Sequence, residues 1–387
     1  MDFTLSEELK VFQSGIRDFV VKEITREYIR ECDDKAEFPQ LIWDEMVKAG
    51  YMGLIVPEEY GGAGQDYMHL ALFLEQVAYG SQSVATYYLV SNVFGTDAIR
   101  KIGNEEQKKE YLPRVVTGKA KFCFGITEPS GGTDALSLSS SAVEDKDAFV
   151  LNGEKNFVTG FDLADYAIIV ARTKKLGEVP KRHQGISLFI VPTKLPGIEY
   201  RKYKKMGQHS MSLCQVFFND VRIPKSNLLG ERDQGWYQIT SALNAERLSV
   251  CAMNIGVQQV AFDITLEYAK QRQAFGKPIG QMQIIQHYLA DMYCDLETSR
   301  MWTYRIAWKA SQGEPIDVEA AMAKIMCTEA ASRLNLKAAG IWAGQGYVKD
   351  NDIERYFRDN TTSWGPISNE MCRNYIGMVA LGLPRCY

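Results

Sequence analysis

Asp147-Ala-Phe-Val-Leu-Asn-Gly-Glu-Lys-Asn-Phe-Val-Thr159 is the stretch on which the reading of the fold turns. Its flanks carry Phe and Val, and Asn152-Gly153 sits between them. An Asn-Gly pair between two such runs predicts a β-hairpin, because both residues tolerate the positive φ angles of a type I′ turn. Further short β-rich runs follow at 166–172, 186–191 and 215–218, punctuated by Pro180, Pro192, Pro196 and Pro224. Residues 120–228 therefore read as a small β-domain.

On both sides of it the apolar period becomes helical. Leu9, Phe12, Ile16, Phe19 and Val20 recur at helical spacing, as do apolar residues over 68–79. Asn104-Glu-Glu-Gln107 has the form of a capping box. Beyond the β-domain, 239–271, 284–311 and 318–338 predict helices too long for one surface face, hence a bundle that also packs on other subunits. The expected fold is mainly α with a middle β-domain: helical over 1–119, β over 120–228, helical over 229–387. A chain of 387 residues exceeds what a single core usually absorbs, so several subdomains are expected.

Composition narrows the function classes. A net charge of −4, without clustered Lys and Arg excess, argues against a nucleic-acid partner. No segment reaches the roughly 18 uninterrupted apolar residues of a membrane span. The N-terminus lacks the basic-then-apolar order of a secretory signal, so a cytoplasmic protein is expected. The eight cysteines contain no Cys-x-x-Cys and read as reduced, buried thiols. Four scattered histidines give no metal-ligand spacing, so no metal is expected.

Three segments could carry chemistry. Ile126-Thr-Glu-Pro-Ser-Gly-Gly-Thr-Asp134 follows a β-like run and offers backbone N–H groups and hydroxyls, which suits a polar ring edge or a phosphate; an ordinary turn reads the same way. Arg272-Gln-Ala-Phe275-Gly276-Lys-Pro278 ends a long helix, where Arg272 could hold a phosphate and Phe275 cover an aromatic ring, or the segment could simply stop the helix. Asn244-Ala-Glu246-Arg247 lies on a helix, and Glu246 shares its face with Leu243, Ser249, Val250 and Met253. A carboxylate on so apolar a face is desolvated, which raises its pKa toward that of a general base; a salt bridge to a neighbouring helix is the other reading.

Taken together, Thr-Glu-Pro-Ser-Gly-Gly-Thr-Asp (127–134), Asn-Gly-Glu-Lys-Asn-Phe-Val-Thr-Gly (152–160), Met-Gly-Gln-His-Ser (206–210), Glu-Arg-Leu (246–248), the block at 272–283 and Arg-Tyr-Phe-Arg-Asp (355–359) stand in an order that resembles the acyl-CoA dehydrogenase family over nearly the whole chain. That resemblance implies an N-terminal helical domain, a β-barrel-like domain and a C-terminal four-helix bundle. It also implies bound FAD, an acyl-CoA substrate, an electron-transfer flavoprotein or other acceptor, and a homotetramer. Thr127 and Thr133 would contact flavin and the acyl-CoA region. Phe157 stands where a Trp flanks the flavin, and Thr159 would bond its ring. Arg272 and Phe275 would reach the FAD of a neighbouring subunit, Gln283 joins the cofactor set, Gly344 falls in a FAD-contacting Gly-rich loop, and Ser368 replaces a flavin-contacting Thr.

The departures from the family pattern are equally informative. The commonest family base is a Glu shortly after the Arg-Asp pair, and that position falls here at about Pro366 in Gly365-Pro366-Ile367. Members such as the isovaleryl-CoA and long-chain enzymes carry the base before Arg-Leu, where this chain has Glu246, with Asn244 and Arg247 beside the substrate. Tyr88 and Ser91, with Tyr87 and Asn92, lie where the pocket wall should be. Gly340 and His209 replace a frequent Gln and Arg. The expected reaction is α-proton abstraction by Glu246 with β-hydride transfer to flavin, on a short, branched or cyclic acyl-CoA. Enoyl-CoA reduction, alicyclic acyl-CoA dehydrogenation with a non-standard base, and a non-catalytic acyl-CoA-binding role are the competing readings.

Overall fold

The computed structural model describes residues 4–361 and 368–385, so Gly365, Pro366 and Ile367 lie outside the described residues. Helices open the chain: α1 (Glu7–Glu23), α2 (Arg26–Lys35), α3 (Gln40–Lys48), α4 (Tyr67–Gly80) and α5 (Gln82–Tyr88). Ser6, Thr25 and Asp66 cap the first, second and fourth of these with side-chain oxygens on otherwise unpaired N–H groups. After α5 the helix widens into a π segment at Leu89–Gly95, then continues as α6 (Thr96–Ile102) and α7 (Glu105–Val116). The capping box expected at Asn104 and Gln107 is present in both directions. The Gln107 amide also donates to the Ser226 and Leu228 carbonyls (2.8 and 2.9 Å), which ties the helical part to the far end of the β-domain.

The strands are β1 (Phe122–Gly125), β2 (Ser141–Asp145), β3 (Ala148–Thr159), β4 (Tyr166–Arg172), β5 (Ile186–Pro192), β6 (Ile198–Lys202), β7 (Leu213–Pro224) and β8 (Leu228–Leu229). They pair in the order β6-β7-β3-β2-β4-β5-β8, with β1 added parallel to β4. The Asn-Gly hairpin does not form. β3 runs straight through Asn152-Gly153, and the chain reverses earlier, at Lys146-Asp147, where Asp145 pairs with Ala148. Gly153 instead marks a register shift against β7, and a Cβ there would meet the Ser140 Cα at 2.7 Å. Asn152 uses its side chain to bracket Asp220, accepting that residue's N–H and donating to its carboxylate, both at 2.9 Å. The pair that usually turns a chain stays in the strand here, opposite a bulge whose extra residue lies on β7, where Asp220 takes φ 50°.

The C-terminal part is built on α8 (Gly235–Gln271), a hairpin of β9 (Gln273–Ala274) and β10 (Lys277–Pro278), α9 (Gln283–Ser311), α10 (Asp317–Trp342), α11 (Ile353–Asn360) and α12 (Asn369–Tyr375). The segment after α8 is therefore a tight hairpin rather than a simple helix stop, with Phe275 at φ 52° and Gly276 at φ 77°. Helix α8 serves two cores. Leu248, Cys251 and Ala252 join the N-terminal helices, whereas Ile255, Val260 and Ala261 join α9 and α10. Gly256 permits the closest crossing, since a Cβ there would meet the Glu75 carbonyl of α4 at 2.1 Å. Among the described residues six cysteines are buried free thiols and Cys294 is an exposed one. Among the described residues no helix is long and apolar enough to cross a membrane, and no cluster of metal ligands occurs.

Candidate active site

Glu246 stands in the middle of this arrangement. It is 3% exposed, and its Oε2 has no hydrogen-bond partner among the described residues. Burial pushes its pKa up to about 7, while the positive charges of Arg247 and Lys324 hold it from rising further. Arg247 bonds the Asn244 side-chain oxygen through Nη1 (2.8 Å), and the Asn244 amide bonds Asp317 (2.9 Å). The Arg247 Nε is itself buried without a partner among the described residues. Across the site, the buried Lys324 of α10 donates to the Asn369 side chain of α12 at 2.8 Å. Cys372, on the next turn of α12, has its thiol pushed up by burial. A carboxyl that titrates near neutrality can both take a proton from carbon and return one.

The raised pKa has a stability consequence. The fold binds this proton more tightly than the unfolded chain does. The resulting stabilisation is complete below the ordinary carboxyl range and is lost as pH rises through about 7. Above that, a buried carboxylate costs about 3 kcal/mol, at about 1.4 kcal/mol per pKa unit. Glu246→Gln is therefore expected to unfold like the parent at pH 5 and to be more stable than it at pH 8. Urea unfolding at both pH values checks this, and a gap that does not change with pH would contradict a desolvated carboxylate.

A second group of candidates gathers at the ends of β1 and β3. Beneath Thr127–Asp134, Glu128 and Lys155 form a buried ion pair (2.5 Å), and Glu128 also accepts the Ser139 and Ser140 N–H groups at 2.6 and 3.0 Å. The Thr127 carbonyl accepts the Asn156 N–H (2.8 Å), which sets the motif beside the second β3 bulge. That bulge puts Phe157 at φ 56° and leaves it 57% exposed, its ring 5.6 Å from that of Tyr203. Thr159 follows, half-buried. Thr127 precedes this bulge across the strand pair and Thr159 follows it, so polar side chains and an exposed aromatic face lie along the same strand ends. That chemistry fits the edge and face of a flavin ring.

The Met206–Ser210 and Arg355–Asp359 blocks also meet. Gly207 lies so close to the Arg358 carbonyl that a Cβ would approach to 2.5 Å, and Asp359 accepts the Gln208 N–H. The His209 N–H donates to Asp33 (3.1 Å), which Arg358 also bonds (2.9 Å).

The remaining candidates lie elsewhere. Tyr88 donates to the Tyr51 carbonyl (2.7 Å), and Ser91 accepts the Phe122 N–H (3.1 Å). Both are fully buried, so their polar atoms hold the π segment in place and are not presented to a ligand. Ser368 caps α12 by accepting the Met371 N–H. Arg272, Phe275 and Gln283 are exposed at the far end of α8, and Phe275 is 96% exposed. At 1.5 Å per residue, Arg272 lies roughly 39 Å along the helix from Glu246. Gly344 is exposed after α10, and both it and Gly340 face open space. A cavity of about 420 Å³ lined by Lys101, Asn104, Gln107, Gly230 and Gln238 contains none of these residues.

Sequence reasoning missed Lys324 and Asn369. The signal for the first was a lysine directly after the alanine-rich run at 320–323, on the buried face of a helix. It also missed Phe94 of the π segment and Phe124 of β1, which stack at 5.0 Å and 7°.

With that geometry in place, three family models cover almost the whole chain. They are the acyl-CoA dehydrogenase N-terminal domain (6–119), middle domain (123–221) and C-terminal domain (233–380). The chain belongs to the acyl-CoA dehydrogenase family. The family consists of FAD-dependent oxidoreductases, and its fold is the one described above. The caffeyl-CoA reductase–Etf complex subunit CarC of Acetobacterium woodii is 37% identical, covering 92% of this chain and 93% of that one. A 3-(aryl)acrylate reductase of Clostridium sporogenes is 36% identical, covering 92% and 93%. A solved glutaryl-coenzyme A dehydrogenase–glutaryl-CoA complex superposes with a TM-score of 0.95 at 31% identity, covering 100% of this chain and 98% of that one.

Proposed function

We propose that this acyl-CoA dehydrogenase moves a proton at the α-carbon of a CoA thioester with Glu246. The buried, unpartnered carboxylate of Glu246 carries the reading. FAD, when bound, supplies the hydride acceptor or donor at the β-carbon. Thr127, Thr133, Phe157, Thr159 and Ser368 would hold it from this chain. Arg272, Phe275, Gln283 and Gly344 would do so from a second copy, because Arg272 and its neighbours lie too far from Glu246 to serve their own site. A homotetramer supplies such copies. Asn244 and Arg247 orient the thioester beside the carboxylate, and apolar walls exclude water, which keeps the carboxylate basic. The enzyme works in the cytoplasm, a reading that the reduced cysteines support, and it exchanges electrons with an electron-transfer flavoprotein, as the name of the CarC complex suggests.

Short, branched or cyclic acyl groups suit the site. A second reading concerns direction and chain. The half-buried Phe94–Phe124 stack and the two relatives named for caffeyl and aryl-acrylate reduction support an aryl enoyl-CoA reductase, with Glu246 protonating the α-carbon. Anaerobic flavin spectra separate the two. Bleaching of the oxidised holoenzyme by a saturated branched or cyclic thioester supports dehydrogenation. Recolouring of the reduced holoenzyme by cinnamoyl-CoA, without bleaching by saturated thioesters, supports reduction. No spectral change with either class would overturn both.

A further inference from the structure

The described part of α10 holds both ends of the segment that carries the family's usual base position. Asn360, at the end of α11, donates to the Ser332 hydroxyl (3.3 Å). Asn369, at the start of α12, receives the Lys324 ammonium (2.8 Å) and donates to the Thr328 hydroxyl (3.0 Å) and the Glu329 carboxylate (3.3 Å). Lys324 is 1% exposed, although a lysine is almost never fully buried without a purpose for its charge. One of its hydrogen bonds goes to the Asn369 amide, and α10 packs on α8, where the buried Oε2 of Glu246 has no partner among the described residues.

We propose that Lys324 is a positioning residue for the proton transfer. Its ammonium, anchored on Asn369, supplies the fixed positive field that sets the protonation state of the Glu246 carboxyl. This rests on the reading of Glu246 as the proton-transfer group.

The charged and titratable groups around that carboxyl can be named element by element. On α8 they are Arg247 and Cys251, on α10 Lys324, and on α12 Cys372 with Glu370 further out. Burial pushes the Cys251 and Cys372 thiols up and keeps them neutral. Arg247 bonds Asn244 through its Nη1. Lys324 is the ammonium of the set, with a pKa lowered by burial and supported by Glu246. Each charge lowers the cost of the other in a medium of low dielectric.

The decisive variants are Lys324→Gln, which removes the charge and keeps a partner for Asn369, and Lys324→Met, which removes both. Lys324→Arg is the conservative rescue. The acid limb of kcat/KM, where activity falls as Glu246 takes up its proton, should move up by about one pH unit or more in the Gln and Met variants. The loss is then about tenfold below pH 7 and within a few fold at pH 9, and Lys324→Arg restores the parent limb. A second readout needs neither flavin nor turnover. The stability advantage of Glu246→Gln over its Glu246 parent should level off at a higher pH and at a larger value in the Lys324→Gln background. If the rate drops equally at all pH values and neither the limb nor the high-pH stability plateau changes, the lysine is only structural and the proposal is overturned. Should Glu246→Gln itself retain activity, the base reading fails, yet the high-pH stability plateau still reports whether Lys324 acts on that carboxyl.

Discussion

Glu246→Gln is expected to lower the rate of thioester-dependent flavin reduction, or of its reverse, by about 10²- to 10⁴-fold, the usual contribution of a positioned acid or base. The amide has the size of the carboxyl, so the packing around the side chain is kept. The flavin-side residues on β1 and β3 are untouched, so FAD content and the flavin spectrum should match the parent. Glu246→Asp withdraws the carboxylate by one methylene and should fall between the two, since ångström-scale misplacement of a reacting group is itself costly. Stopped-flow mixing with a thioester under anaerobic conditions measures the step directly. A rate within a few fold of the parent would move the base to another residue.

Lys155→Met is expected to destabilise the protein by about 3–5 kcal/mol, because it strands the Glu128 carboxylate in a site from which water is excluded. Glu128 organises the whole Thr127–Asp134 turn through the Ser139 and Ser140 N–H groups. Loss of its counter-charge should loosen that turn, so flavin should also be lost more readily on dilution. The double variant, Glu128→Gln with Lys155→Met, should recover part of the loss, since no unpaired charge then remains in the interior. Denaturant unfolding of the single and double variants forms the thermodynamic cycle. A double variant less stable than Lys155→Met would show that the carboxylate's hydrogen bonds to the Ser139 and Ser140 N–H groups outweigh the cost of its stranded charge.

Much of this architecture is legible in the chain itself. Helical periodicity gives α1, α4, α8, α9 and α10 nearly to their ends, because long amphipathic or buried helices announce themselves by spacing alone. The capping box at Asn104 is equally local: both of its hydrogen bonds close within one turn. β4 and β5 follow from dense β-branched runs. Glu246 stands out because a charge in an apolar helical stripe is conspicuous before any partner is known.

What the sequence left open depends on neighbours that are distant along the chain. Asn152-Gly153 carries the local signal of a turn, yet β7 pairs with it as strand across a bulge of its own at Asp220, and no local pattern reports the partner strand. Phe275-Gly276 takes the tight turn instead, because two short flanking pairs suffice to close it. Tyr88 and Ser91 look like pocket-wall donors until Tyr51 and Phe122 arrive from elsewhere and occupy them. Lys324 and Glu246 lie 78 positions apart and share one buried space only because α8 and α10 pack side by side. Helix, cap and strand are short-range balances that each segment settles within itself. Which polar group is left unpaired, and which charge faces it, is a long-range balance of desolvation and pairing that only the assembled fold can settle.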